Sequence, residues 1–145
     1  MYKKNHIGIA EIEMLPGNIF HVEITHAAEV TLEGAKRLIR ATNQMLEPEN
    51  PFRGGIYDLT KITYVNGDAR EYLTSGEDVE GIVVAVAMIS NSFLGKAVGN
   101  LVLSLSNTTP FPISFFESPI RAEHWVRSQM DEARRNRLEA VRKVA

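Results

Sequence analysis

"YDLTKITYVNGDARE", residues 57–71, carries the sequence's most informative local grammar. It reads as the end of a strand, a turn at Asp58-Leu59-Thr60, a short extended piece, and the start of a helix after Asn66-Gly67-Asp68. Asp68 admits three readings: a first-turn helix residue, a catalytic carboxylate, or a stand-in for another group. A carboxylate in the first helical turn is favoured by the helix dipole by roughly 0.3–1 kcal/mol. The structural reading is therefore the ordinary one.

Upstream of this stretch, "GGIYDL" supplies a short strand. Before it, Thr31 is an N-cap for a helix carrying Ala35, Leu38, Ile39, Thr42, Met45 and Leu46 at three-to-four spacing, stopped by Pro48 and Pro51. The chain opens with "HIGIAEIEML", "PGN" and "IFHVEIT", two strands joined by a tight turn. Pro16 presets the turn, and Gly17 and Asn18 tolerate positive φ. Phe20, Val22 and Ile24 share one face of the second strand, as a half-buried antiparallel strand requires.

Downstream, the new helix carries Ala69, Tyr72 and Leu73 inward and ends near "SGED". "GIVVAVAMIS" is a continuous apolar run rich in β-branched residues, expected as a central strand buried on both faces between parallel neighbours. "NSFLGKAVGNLVLSLS" reads as a helix and "FPISFFES" as a strand. Ser118-Pro119 opens the last helix, a hydroxyl cap followed by proline at the first helical position. The expected order is β-β-α-β-α-β-α-β-α. An opening hairpin followed by βα units means a mixed sheet with helices packed on it through right-handed crossovers.

The bulk composition sets limits. At 145 residues the chain is expected to form one domain, 1–145, with about 131–145 as a helical extension. It is 44% hydrophobic and 23% charged, with a net charge of -2, which gives no global attraction to nucleic acid. With no cysteine, disulfides and thiolate chemistry are excluded. The first residues do not read as a signal peptide, and "GIVVAVAMI" is about half the length of a membrane helix. A cytoplasmic protein without stable membrane insertion is expected.

With "YDLTKITYVNGDARE" in its middle, the element order resembles the STAS family, the SpoIIAA-like fold of bacterial anti-sigma-factor antagonists. In that family a strand ends in Asp-Leu-Ser/Thr, and alternating apolar residues lead to an Asp-Ser-Ser/Thr-Gly turn opening a helix. Asp58-Leu59-Thr60 matches the first part, and Ile62, Tyr64 and Val65 the apolar positions. Asn66 falls on the turn Asp, Gly67 on the first small polar residue, Asp68 on the phosphorylated Ser/Thr, and Ala69 on the Gly. The segments "IVVAVAMISNSFLGKAVGNL" and "FPISFFESPIRAEHWV" further resemble a bacterial branch of STAS-like proteins, for which the resemblance brings a fold and no activity. It implies an α/β sandwich and a protein-binding surface at Asp58, Asn66, Gly67 and Asp68. Asp68 offers no hydroxyl, so phosphoswitching at this turn is not expected. A carboxylate carries about one charge and two acceptors, against nearly two charges and three acceptors for a phosphate.

Other constellations point elsewhere less sharply. Asp58-Leu59-Thr60, Ser90-Asn91-Ser92 and Glu117-Ser118 fall at strand ends, the rim where open α/β sheets bind ligands. Caps and turns also explain them. His6, His21, His26 and His124 match no zinc spacing, "GEDVEG" lacks the calcium-loop register, and no Gly-x-Ser-x-Gly, Walker or dinucleotide pattern occurs. No cofactor or metal is implied. On the helix "SFLGKAVGNLVLSLS", Phe93, Leu94, Val98, Leu101, Val102 and Leu105 fill an arc of roughly 180° with Ala97, wider than the about 100° stripe that packing on one sheet needs. That surplus calls for a neighbouring helix, a second subunit, a protein partner or an apolar ligand.

Three functional readings follow in order. The first is a non-catalytic regulatory interaction module with a protein partner or a second copy of itself. The next is a small-molecule or lipid-binding protein using the 92–105 helix. Last comes a hydrolase or other enzyme at the strand-end rim.

Overall fold

The computed structural model describes residues 3–25, 28–90 and 110–144. It opens with β1 (Lys3–Ile7), β2 (Ala10–Leu15), β3 (Ile19–Ile24) and β4 (Ala28–Val30), followed by α1 (Leu32–Met45). β5 (Phe52–Asp58), β6 (Ile62–Val65), α2 (Gly67–Ser75) and β7 (Ile82–Ile89) come next, and β8 (Ile113–Phe116) and α3 (Pro119–Val144) close the chain.

Six strands form one mixed sheet in the order β1-β2-β3-β5-β7-β8. β1, β2 and β3 are antiparallel neighbours, and β3, β5, β7 and β8 run parallel. β7 lies between two parallel neighbours and is buried from Ala85 onward, as its apolar run predicts. Two parts of the sheet region differ from the expectation. The run His6–Leu15 is not one strand: it breaks at Gly8, whose φ of 52° turns the chain between β1 and β2. In addition, β6 is paired in parallel with the three-residue strand β4, a second small sheet. Three residues are too few for a side-chain period to show in sequence.

The turn between β2 and β3 takes the expected form, with φ of 87° at Gly17 and 60° at Asn18. Asn18 is also fully buried. Its amide donates to the carbonyls of Asn50 (3.1 Å) and Phe52 (3.3 Å), and its Oδ1 accepts from the Glu47 N–H (2.9 Å). One turn residue thus fixes the entry of β5. Thr31 caps α1 through the Gly34 N–H (3.1 Å), and Ser118 Oγ accepts from the Arg121 N–H at the start of α3.

Each sheet face has its own core. Ala122, Val126 and Met130 of α3 pack on Leu15, Ile19, Phe52, Ile56, Ala87 and Ile89. A Cβ at Gly54 would stand 2.6 Å from Val126 Cγ1, so only glycine lets helix and sheet come this close. On the opposite face, Ala35, Ile39 and Met45 of α1 and Ala69 and Tyr72 of α2 meet Ile12, Phe20, Val22, Val86 and Met88. Beyond Met130, α3 is mostly exposed, including Leu138 and Val141. Among the described residues no helix is long and apolar enough to cross a membrane.

Candidate functional site

The corner between β5 and α2 is built from local hydrogen bonds. Asp58 is half-buried, and its Oδ1 accepts both the Thr60 N–H (3.0 Å) and the Thr60 hydroxyl (2.5 Å), the Asx geometry that turns a chain sharply. The Leu59 N–H donates to the Ile89 carbonyl (2.7 Å), tying the turn to the end of β7. β6 then buries Ile62 and Val65 but leaves Tyr64 58% exposed. The three apolar positions of the sequence pattern therefore divide, two inward and one outward.

The Asn66 N–H donates to the Val30 carbonyl (3.0 Å), which fixes where β6 ends. Asn66 is the N-cap residue of α2, yet its side chain makes no capping bond. Gly67 and Asp68 are exposed in the first turn, and Asp68 Oδ1 accepts the Ala69 N–H (2.8 Å). An added Cβ at Gly67 would find only Arg70 Nη2, at 3.8 Å, so the fold does not demand glycine there. Asn66, Gly67 and Asp68 thus lie together at an open helix start beside an exposed tyrosine, while Asp58 is engaged by its own turn. Of the strand-end rim, Ser90 is buried and Glu117 exposed. The apolar surface of Phe93, Leu94, Val98, Leu101, Val102 and Leu105 lies outside the described residues, as do Asn91, Ser92 and His26. Among the described residues no three His, Cys, Asp or Glu side chains converge as a metal site would require.

A second feature was not read from sequence. Between the sheet and helices α1 and α2 lies a cavity of about 340 Å³, lined by Phe20, Val22, Tyr57, Leu38, Leu73 and Phe111 among others. Arg53 also lines it and is only 4% exposed. Its guanidinium donates to Asn43 Oδ1 (2.7 Å), the Glu80 carbonyl (3.2 Å) and Thr42 Oγ1 (2.6 Å), and stacks over Phe20 at 4.8 Å. Burial lowers its pKa, while Tyr57 and Glu80 act against that shift. Burial likewise pushes the Tyr57 phenol up, and the Arg53 charge pulls it partway back. At the end of α2, Tyr72 donates to Asp78 Oδ2 (2.8 Å) in the loop that follows and is pushed up to about 12, first by burial, then by that bond and the charges of Asp78 and Glu77. The signal in the sequence was a charged residue within a strand whose neighbours are otherwise apolar or glycine, "FRGGIYD".

The sequence matches the family described as domain of unknown function DUF7793 over residues 13–130. The chain belongs to this family. The DUF7793 match begins within β2 and ends at Met130, the last α3 residue buried against the sheet, so the exposed end of α3 lies beyond it. No curated protein matches the sequence. An anti-sigma factor antagonist from Mycobacterium paratuberculosis is similar in structure, with 16% identity, a TM-score of 0.55, and coverage of 81% of this chain and 92% of that one. An uncharacterized protein of the DUF3478 family from Shewanella loihica, described as having a SpoIIAA-like fold, aligns with 15% identity, a TM-score of 0.49, and coverage of 87% and 92%. The DUF7793 chain has a STAS-like, SpoIIAA-like α/β fold, as the element order predicts.

Proposed function

We propose that this DUF7793 chain is a non-catalytic cytoplasmic regulatory module that docks on a protein partner through the β6–α2 corner. The observation that carries the reading is the corner itself. Tyr64 stands 58% exposed immediately before an exposed helix start bearing Gly67 and Asp68. Aromatic anchors beside polar groups are the usual energetic centre of protein interfaces. The fold shared with an anti-sigma factor antagonist supports a role in which one protein acts on another. In the sequence resemblance Asp68 falls on the position of the phosphorylated Ser/Thr, and on this reading docking is permanent rather than switched.

The test is a photo-crosslinking side chain placed at position 64 and, as control, at position 138, in cells of the source organism. One discrete cross-linked protein at 64, absent at 138 and lost on Asp68→Lys, is expected. Equal labelling at both positions, or a cross-link indifferent to Asp68→Lys, would sink the docking reading.

A further inference from the structure

We infer that the cavity between the sheet and helices α1 and α2 is a binding site for a small amphiphile, an apolar body carrying one carboxylate that meets Arg53 and the Tyr57 hydroxyl. This does not rest on the docking reading: the cavity reaches beneath the corner, where Ile62 and Val65 line it from inside, whereas docking uses the outward Tyr64, Gly67 and Asp68.

Three observations support it. First, protein interiors are packed as tightly as organic crystals and leave few voids larger than a water molecule. Among the described residues, the partly open space of about 340 Å³ beneath α1 and α2 is larger than such voids, and it falls within the roughly 300–1,000 Å³ range of small-molecule sites. Its walls include Val22, Leu38, Leu73, Val86 and Phe111, which suit an apolar body.

Second, Arg53 is a nearly fully buried cation whose hydrogen-bond partners are neutral oxygens; the Glu80 charge acts on it from a distance, and among the described residues no carboxylate is in direct contact with it. Those three bonds use three of its five N–H groups. Buried charges are as a rule paired, and a bound carboxylate supplies the missing partner. Asp58 also lines the cavity, but its Oδ1 is held by Thr60.

Third, the Tyr57 hydroxyl makes no hydrogen bond among the described residues and is not sealed from solvent, so it is free to donate to a bound group. Its ring is held in place by a specific device. A Cβ at Gly55 would stand 2.8 Å from Tyr57 Cε2, so the ring lies back over the glycine. Arg53, Gly55 and Tyr57 alternate onto one face of β5. The strand therefore presents two hydrogen-bond donors on that face, with the Tyr57 ring seated over the glycine between them.

Decanoate titrated into the purified chain by isothermal calorimetry tests the inference, with decanol as the neutral comparator and thermal melts to confirm folding. One saturable site for decanoate is expected, weakened about tenfold by Tyr57→Phe and about tenfold weaker for decanol. Val86→Phe, which fills the cavity from the sheet, should abolish binding while the protein still melts cooperatively. Leu73→Phe fills it from α2 and serves if the first variant does not fold. No saturable heat with decanoate, or binding that survives a folded cavity-filled variant, overturns the site. Equal affinity for decanol, or an unchanged Tyr57→Phe, overturns the carboxylate-binding end.

Discussion

The two faces of the sheet are built from the same strands and packed to opposite ends. Under α3, the side chains of Ala122, Val126 and Met130 close directly on β5 and β7. Under α1 and α2 the layer stands off far enough to leave about 340 Å³. The contrast is condensed in two adjacent glycines. Gly54 faces α3, where its missing side chain lets two layers touch, and Gly55 faces the cavity, where its missing side chain gives room to a ring. The same residue type tightens one face and opens the other. Stability and binding capacity are thus allotted to different sides of one sheet.

That division can be broken most forcefully at Val126, which has no exposure. Val126→Asp buries a carboxylate against apolar neighbours and should cost more than about 4 kcal/mol. Since domains of this size hold about 5–15 kcal/mol in total, the cooperative melt should disappear or fall far below that of the parent. A melt close to the parent's would mean that α3 is not what seals its face.

The sharper comparison pairs one enlarging substitution on each face. Gly54→Ala forces its new carbon onto Val126 and should destabilise by about 1–3 kcal/mol, read as a lower urea midpoint. Val86→Leu grows into free space and should be neutral or stabilise by up to about 2 kcal/mol. Loss of stability of equal size in both variants would show that the faces do not differ as described.

A smaller effect appears at high pH on the α2 side. Tyr72 titrates near 10 when unfolded and at about 12 when folded, so between those values the folded state holds a proton that the unfolded state has released. Its contribution is complete below pH 10 and is lost as pH rises through 12. Tyr57 acts in the same direction. Tyr72→Phe should therefore start less stable at neutral pH, by about 1 kcal/mol for the lost Asp78 bond, and fall less steeply in melts run from pH 9 to 11. Parallel slopes for variant and parent would contradict the shift.

Local chemistry made much of this architecture legible. Thr31, Ser118-Pro119 and the Gly17-Asn18 turn each act within a few residues of themselves, so their roles show in a linear reading. The helix start at Asn66–Asp68 was legible for the same reason. What was missed depends on distant partners. Gly8 divides an apolar run through its backbone angle, and β4 exists only because β6 lies beside it. Tyr64 shares an apolar pattern with Ile62 and Val65, but pairing with β4 turns it outward. The cavity is set by how far α1 and α2 stand from β5, a distance that no single segment encodes. Arg53 gave the one clue to it, as a charge in a strand that is otherwise buried.

Asn18 has a consequence for the route by which the chain assembles. The antiparallel strands on either side of it are close in sequence and can meet early, since closing a short loop costs little entropy. Its amide, however, is completed only by groups 29 to 34 residues away, at Glu47, Asn50 and Phe52. Until that segment arrives, the side chain must stay hydrated, because burying it without those partners is costly. The turn therefore works as a checkpoint: the hairpin gains its full stability only when β5 docks beside it, which couples the first local structure to the first long-range parallel pairing.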